Sequence, residues 1–307
     1  MNLVRLRRAL ALRGLAPASG TPESSGGRVD EATIRPAERV EDAALSWHDA
    51  RPAAPCAEIV AFLDGIQQSE VVGYAGSSPL VVARVAAAVR ERRDGRLTTA
   101  VVERRTVAIG RPEVLAAAGP ALDGCATVAL ATDEPPHPVR DRAAASRATD
   151  DVRSEAERSA GARYRAGSPH WLIVDGSLAE RPAWALDRRM IGVSKSHASL
   201  PFDGDELERY LRLPEGHRSS LFVPASRSIA PVRAWALRLW AWEGRDLLHG
   251  LVRVEVAPIN GIPATADALS SWLLAERAPI SAPDRRWDRL LYGIHSVEEY
   301  LRALGPA

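Results

Sequence analysis

Lysine is nearly absent from this 307-residue chain: of 40 basic residues, Lys195 alone is lysine and the others are arginine. Alanine is abundant too, so arginine in place of lysine fits a coding bias across a genome. Against that background the single lysine asks for a reason. Cysteine is equally scarce, with only Cys56 and Cys125 present. No CxxC or Cys/His spacing occurs, which argues against a structural zinc site. Two reduced, buried thiols in a cytoplasmic protein are the expectation. No apolar run approaches the roughly 20 residues that a membrane span requires. Net charge is only +1, so a polyanion would have to be held in a local groove instead of on a basic surface. There is no P-loop and no GxGxxG after a strand, which leaves nucleotide hydrolysis and dinucleotide binding without support. A GxSxG elbow is missing as well.

What is present is ordinary for a globular protein: 46% hydrophobic and 26% charged residues. Met1–Ala16 mixes Arg5, Arg7, Arg8 and Arg13 among apolar residues, so it lacks the uninterrupted apolar core of a secretory signal and suits a short amphipathic helix. Residues 17–27 are rich in Ser, Gly and Pro, the composition of a mobile linker. Residues 30–50 carry a helix-compatible pattern, and residues 51–55 break the chain. Residues 1–54 are therefore expected to stand apart from a main domain at 55–307.

The pattern that organises the main domain is an apolar run ending in Asp-Gly, and it occurs twice. Trp171-Leu172-Ile173-Val174 leads into Asp175-Gly176, and Ile59-Val60-Ala61-Phe62-Leu63 into Asp64-Gly65. Short apolar runs rich in β-branched residues read as strands buried on both faces. Each would deliver an aspartate to a strand end, where a buried carboxylate is costly unless a cation meets it. One such Asp-Gly would be plain turn chemistry. Two, at the tips of two strands in one sheet, are a usual way to hold a divalent metal over a phosphate.

Between these runs the pattern gives strands at 69–75 and 98–109 and, with helix as the alternative that its alanines allow, a strand at 79–91, with Asp94-Gly95 as a hairpin turn. A helix follows at 112–122, a short strand or turn at 126–131 and a long polar helix at 139–165. After 170–175 come a strand at 189–195, a helix at 203–213, β segments at 219–224, 231–242 and 247–257, and helices at 264–277 and 287–304. Trp235, Trp240 and Trp242 suit sheet packing. This order predicts an α/β fold with a mixed sheet.

Further metal ligands are sought on the helix before 170–175, where Glu157 and Glu155 both remain open, with Glu103 another candidate. Lys195 follows the strand after Asp175, where a compact point charge can stabilise charge on a scissile phosphate. His197 could contact phosphate. Arg253 and Glu255 share one strand face, as an ion pair or with Arg253 turned to phosphate. Tyr292 and His295 lie one turn apart in the last helix and are weaker candidates.

Phe62-Leu63-Asp64-Gly65, Leu172 to Leu178, Ile191-Gly192-Val193-Ser194-Lys195-Ser196-His197 and Arg253-Val254-Glu255 together resemble the NurA nuclease family over roughly residues 55–304. The resemblance implies an RNase H-like mixed sheet flanked by helices, with additional C-terminal β segments and helices. It implies a Mn²⁺- or Mg²⁺-dependent DNA exonuclease and single-strand endonuclease that acts in DNA end processing. A HerA-type hexameric ATPase as partner and a homodimer are also implied. By position, Asp64 and Asp175 match the metal-binding aspartates, Glu157 the intervening glutamate and Lys195 the lysine after the next strand. Tyr292 and His295 stand closer together than the family's C-terminal tyrosine and histidine. The competing expectation is a non-catalytic RNase H-like subunit that dimerises and docks on a DNA-translocating ATPase.

Overall fold

The computed structural model describes residues 33–93, 96–122, 125–131, 133–225, 230–277 and 291–304. The expected helix at 1–16, the linker at 17–27 and the Asp94-Gly95 turn lie outside these residues. Two compact units are present, one from residues 33–59 with 171–295 and the other from 60–170 with 296–304.

The chain enters the first unit through three short strands, β1 (Thr33–Ile34), β2 (Glu38–Arg39) and β3 (Trp47–Asp49). The helix expected at 30–50 does not form over the part described. Pro36 would remove a helix-interior N–H, and backbone groups here pair with distant strands of the same unit: Thr33 lies opposite Ser199, Arg39 opposite Phe222 and His48 opposite Arg218.

The second unit is built on a long antiparallel meander, β4 (Val60–Ala75), β5 (Ser78–Arg93) and β6 (Arg96–Gly110). Here the expected exit at Gly65 is overturned. β4 runs unbroken for 16 residues, because its second half continues to pair with β5 as far as Ala75–Ser78. Despite its alanines β5 is a strand, since pairing on both sides overrides local propensity. Helix α1 (Pro112–Ala118) leads by a 3₁₀ turn towards β7 (Ala126–Ala129), which lies parallel to β6. Helix α2 (Pro138–Gly167) then packs its buried stripe on the meander. That stripe is Asp141, Ala145, Thr149, Ala156, Glu157, Ala160, Gly161 and Tyr164. Its spacing of about one turn is that of a single helix face, and its small residues permit close approach. Ala145 closes a core with Val81, Ala83, Val107, Ile109 and Leu130. Asp141 is fixed in this core by Arg111, at 2.8 and 3.0 Å, and by the Ser78 hydroxyl at 2.9 Å. The guanidinium holds its carboxyl down at about 2.

The chain returns to the first unit with β8 (Trp171–Asp175), α3 (Pro182–Ala185), β9 (Met190–Ser194), β10 (Ser199–Leu200) and α4 (Gly204–Leu211). Then come β11 (His217–Ser219), β12 (Phe222–Val223), β13 (Arg233–Arg238), β14 (Leu251–Val256) and α5 (Pro263–Glu276). α6 (Tyr292–Leu304) closes the chain. In this unit β12, β13, β14, β9 and β8 follow one another side by side. β8 and β9 are parallel, and β14 is antiparallel to both β9 and β13, so the sheet is mixed. Phe202, Tyr210, Phe222, Ala234, Ala236 and Leu251 fill one face of it. Trp235 is buried on β13 with its indole N–H on Ser270 at 2.8 Å. Trp240 and Trp242 lie past the strand end instead of within it.

Arg238 is fully buried and donates to four carbonyls: Leu213 at 3.0 Å, Leu247 at 3.0 Å, Leu211 at 2.6 Å and His249 at 2.5 Å. Two of these lie at the C-terminal end of α4, where the helix dipole favours a cation. Cys56 and Cys125 are not joined in a disulfide and are half-buried, short of the expected burial.

Candidate active-site residues

In the second unit, Val60 to Asp64 form a fully buried stretch of β4. Asp64 is 8% exposed, stands opposite Ala88, and accepts a hydrogen bond from the Gly65 N–H at 2.7 Å. Gly65 matters for what it leaves out. A Cβ built there would lie 2.6 Å from Glu157 Oε1 and 2.9 Å from its Cγ. The glutamate therefore lies across the β4 backbone just after Asp64, in space that only glycine leaves open. Strand alternation directs the Asp64 side chain to the other face of β4. Glu157 is buried while Glu155 is half-exposed and paired with Arg158, so Glu157 is the inward glutamate of the two. Arg153 pairs with Glu157 and donates to Gln67 at 3.1 Å, and Gln67 donates to Asp150 at 2.7 Å. Glu103 is occupied by Arg163 and the Ser159 hydroxyl on the same helix.

In the first unit, β8 and β9 run parallel, so Asp175 and Lys195 emerge at the same edge. Lys195 Nζ lies 3.0 Å from Asp175 Oδ2, with both side chains about a quarter exposed. This is the cation that a carboxylate at a strand end calls for, and it lies at the carboxyl ends of parallel strands, where α/β sheets bind ligands. Gly176 turns the chain out of β8 with φ of 107°, a value that favours glycine. Its N–H still donates to Val193 O at 2.9 Å. The next residues bind a distant acid. Glu255 Oε2 accepts from Ser177 Oγ at 2.7 Å, Leu178 N at 2.8 Å and Ala179 N at 3.3 Å. Glu255 Oε1 accepts from Arg253 Nε at 2.9 Å. The expected shared face of Arg253 and Glu255 is thus an ion pair. The hold of Glu255 on the turn at 177–179 went unread, since no local pattern links residues 76 positions apart.

His197 hydrogen-bonds through Nε2 to Leu251 O at 3.0 Å, and burial pushes its pKa down to about 4. At neutral pH it is an uncharged imidazole donating to backbone, which does not suit a cationic phosphate contact. Tyr292 is exposed and His295 half-buried at the start of α6.

Glu41, Asp42 and His48 form another group with metal-ligand character, their donor atoms all within 4.8 Å. Both oxygens of Glu41 meet Arg218, at 2.8 and 2.9 Å, and Asp42 accepts from Ser220 at 2.6 Å. The group is part of the polar network around the buried Arg218.

Asp64, Glu157 and Asp175 offer carboxylate oxygens only, the hard donors that Mg²⁺ and Mn²⁺ prefer. The space at Gly65 admits a carboxylate and no side chain. By donor chemistry Asp64 and Asp175 each suit such an ion, whereas Glu157, on the opposite face of β4 from Asp64 and paired with Arg153, is not placed to share an ion with Asp64. Among the described residues no helix is long and apolar enough to cross a membrane.

No family model and no curated protein matches the chain. Solved structures do. The NurA nuclease from Sulfolobus solfataricus aligns over 83% of this chain and 81% of its own, at 10% identity and a TM-score of 0.51. The catalytic domain of human endonuclease V aligns over 99% and 97% at 13% identity, with a TM-score of 0.35, too loose to define a common architecture. At such identities likeness speaks of fold, and this chain has a mixed α/β fold similar to that of the NurA nuclease.

Proposed function

We propose that this protein is a metal-dependent deoxyribonuclease, an exonuclease and single-strand endonuclease acting in DNA end processing. The observation that carries the proposal is the Asp175–Lys195 pair at the carboxyl ends of two parallel strands, in a chain whose fold is similar to that of a nuclease. Asp64 and Asp175 are the proposed metal-binding carboxylates. When bound, Mn²⁺ or Mg²⁺ supplies Lewis acidity and lowers the pKa of a water. Lys195 offsets charge on the leaving oxygen, as a point charge without the width of a guanidinium. Arg253 contacts the DNA backbone. A HerA-type hexameric ATPase is the proposed partner, and the working form is a homodimer.

Mn²⁺-dependent cleavage of end-labelled single-stranded DNA tests this. Cleavage by the intact chain, lost in Asp64→Ala and in Asp175→Ala, is the expected result. A second reading, a non-catalytic subunit docking on the ATPase, draws on the ion pairs themselves: Lys195 on Asp175 and Arg153 on Glu157 can balance these acids without a metal. A chain that never cuts under any divalent ion, yet binds the hexamer, establishes that reading instead.

A further inference from the structure

Glu255 is 1% exposed on β14, and an ionised carboxylate so buried must be met by donors on both oxygens. Its two oxygens serve different ends. Oε2 collects the Ser177 hydroxyl and the Leu178 and Ala179 N–H groups, all from the turn that directly follows Asp175-Gly176. Oε1 holds Arg253 by its Nε. The same turn is seated from a second direction. Glu255 lies opposite Gly192 in the β14–β9 register, and a Cβ at Gly192 would lie 2.8 Å from Leu178 Cγ and 2.9 Å from Gly176 O. The missing side chain lets the turn lie on β9 while Glu255 grips it. Arg253, two residues before Glu255, stands opposite Ser194, the residue before Lys195.

The geometry points to Glu255 as a positioning residue that sets the Asp175 turn and the Arg253 guanidinium through one carboxylate. This rests on the nuclease function proposed above and adds to it a group that touches neither ion nor DNA. Asp175 is tied on one side by the β8–β9 ladder and on the other by the gripped turn. Releasing the turn lets the carboxylate swing away from its place beside Lys195. Releasing Oε1 alone frees Arg253 and leaves the turn in place. Partners that orient a metal ligand typically contribute about 10- to 100-fold in affinity or activity.

The test uses the full-length chain, with Mn²⁺ affinity from calorimetry and kcat and KM from single-stranded DNA cleavage. Glu255→Ala is expected to weaken Mn²⁺ binding and lower kcat, each by about tenfold or more. Glu255→Gln keeps an acceptor for the turn but loses the charge on Arg253. It is expected to bind Mn²⁺ within about threefold of the unaltered chain while KM for DNA rises, and Arg253→Ala is expected to match it. Ser177→Ala removes one grip and is expected to weaken Mn²⁺ binding by about threefold. Unaltered Mn²⁺ affinity in a folded Glu255→Ala chain overturns the assignment and leaves the nuclease standing. If Glu255→Ala does not fold, unchanged behaviour of both Glu255→Gln and Ser177→Ala overturns it. If the unaltered chain neither binds Mn²⁺ nor cuts, the nuclease proposal fails first and the positioning role goes with it.

Discussion

The two Asp-Gly steps look alike in sequence and are built differently. At Asp175-Gly176 the strand ends, the glycine takes a φ of 107°, and the aspartate meets a lysine while a buried glutamate secures the turn beyond. At Asp64-Gly65 the strand continues for ten more residues, and the glycine's value lies in the space it leaves for Glu157. In one place glycine supplies backbone freedom; in the other it supplies an absent side chain. The dipeptide alone does not say which, because the choice is made by what pairs with the residues after it.

The sharpest way to break this comparison is to remove each acid. Asp64→Asn and Asp175→Asn are both expected to lower Mn²⁺-dependent cleavage of single-stranded DNA by about a thousandfold or more, beyond the 10- to 100-fold typical of supporting groups. If only one is required, the two steps do not share a function, whatever their likeness.

Alanine at the two glycines should then separate the two roles. Gly65→Ala drives a Cβ into Glu157 and is expected to cut activity by about tenfold or more, with overpacking costing about 1–3 kcal/mol of stability. Gly176→Ala meets open space but carries backbone strain, expected to cost about 1–3 kcal/mol. Thermal melts read beside cleavage rates check both. A Gly65→Ala chain of full activity would mean that Glu157 has no part in the chemistry.

Acid should separate the units themselves. His197 and His249 of the first unit have pKa values lowered by burial to about 4, from 6.5. The unfolded chain therefore binds more protons between these values, and stability falls as pH drops from 6.5 to about 4. In the second unit Asp141 is held down to about 2, from 3.8, so its contribution is intact above pH 4 and is lost only as pH falls towards 2. Hydrogen exchange at pH 5 is expected to quicken in β13 and β14 before α2 and β5. The reverse order would place the weaker acid response in the wrong unit. The smallest effect concerns salt: Arg253→Ala should lower the slope of log affinity for DNA against log salt by about one, while Arg163→Ala, on the meander side, leaves it unchanged.

How much of this could be read in the sequence follows from the range of the interactions. Trp171 to Asp175 was legible, because four apolar residues, an acid and a glycine carry their own strand and exit. β5 was legible through its alternation in spite of its alanines. The stretch at 30–50 was not: its strands are two or three residues long and exist because of partners such as Phe222 opposite Arg39, far along the chain. The continuation of β4 past Gly65 is likewise decided by β5. Of the candidate site, Asp175 and Lys195 each stand out in the sequence, but their pairing follows from the parallel register of β8 and β9, which only the fold supplies. The inward turn of Glu157 depends on a space that only folding creates. Glu255 was noticed merely as a neighbour of Arg253, since its three other donors lie more than 70 residues away.

The solitary lysine has a practical consequence. An amine-directed reagent meets a single side-chain amine in the whole chain, and it sits on the carboxylate of Asp175. Labelling of that side chain, followed by mass spectrometry as ions or oligonucleotides are added, would report on one position without any engineered tag.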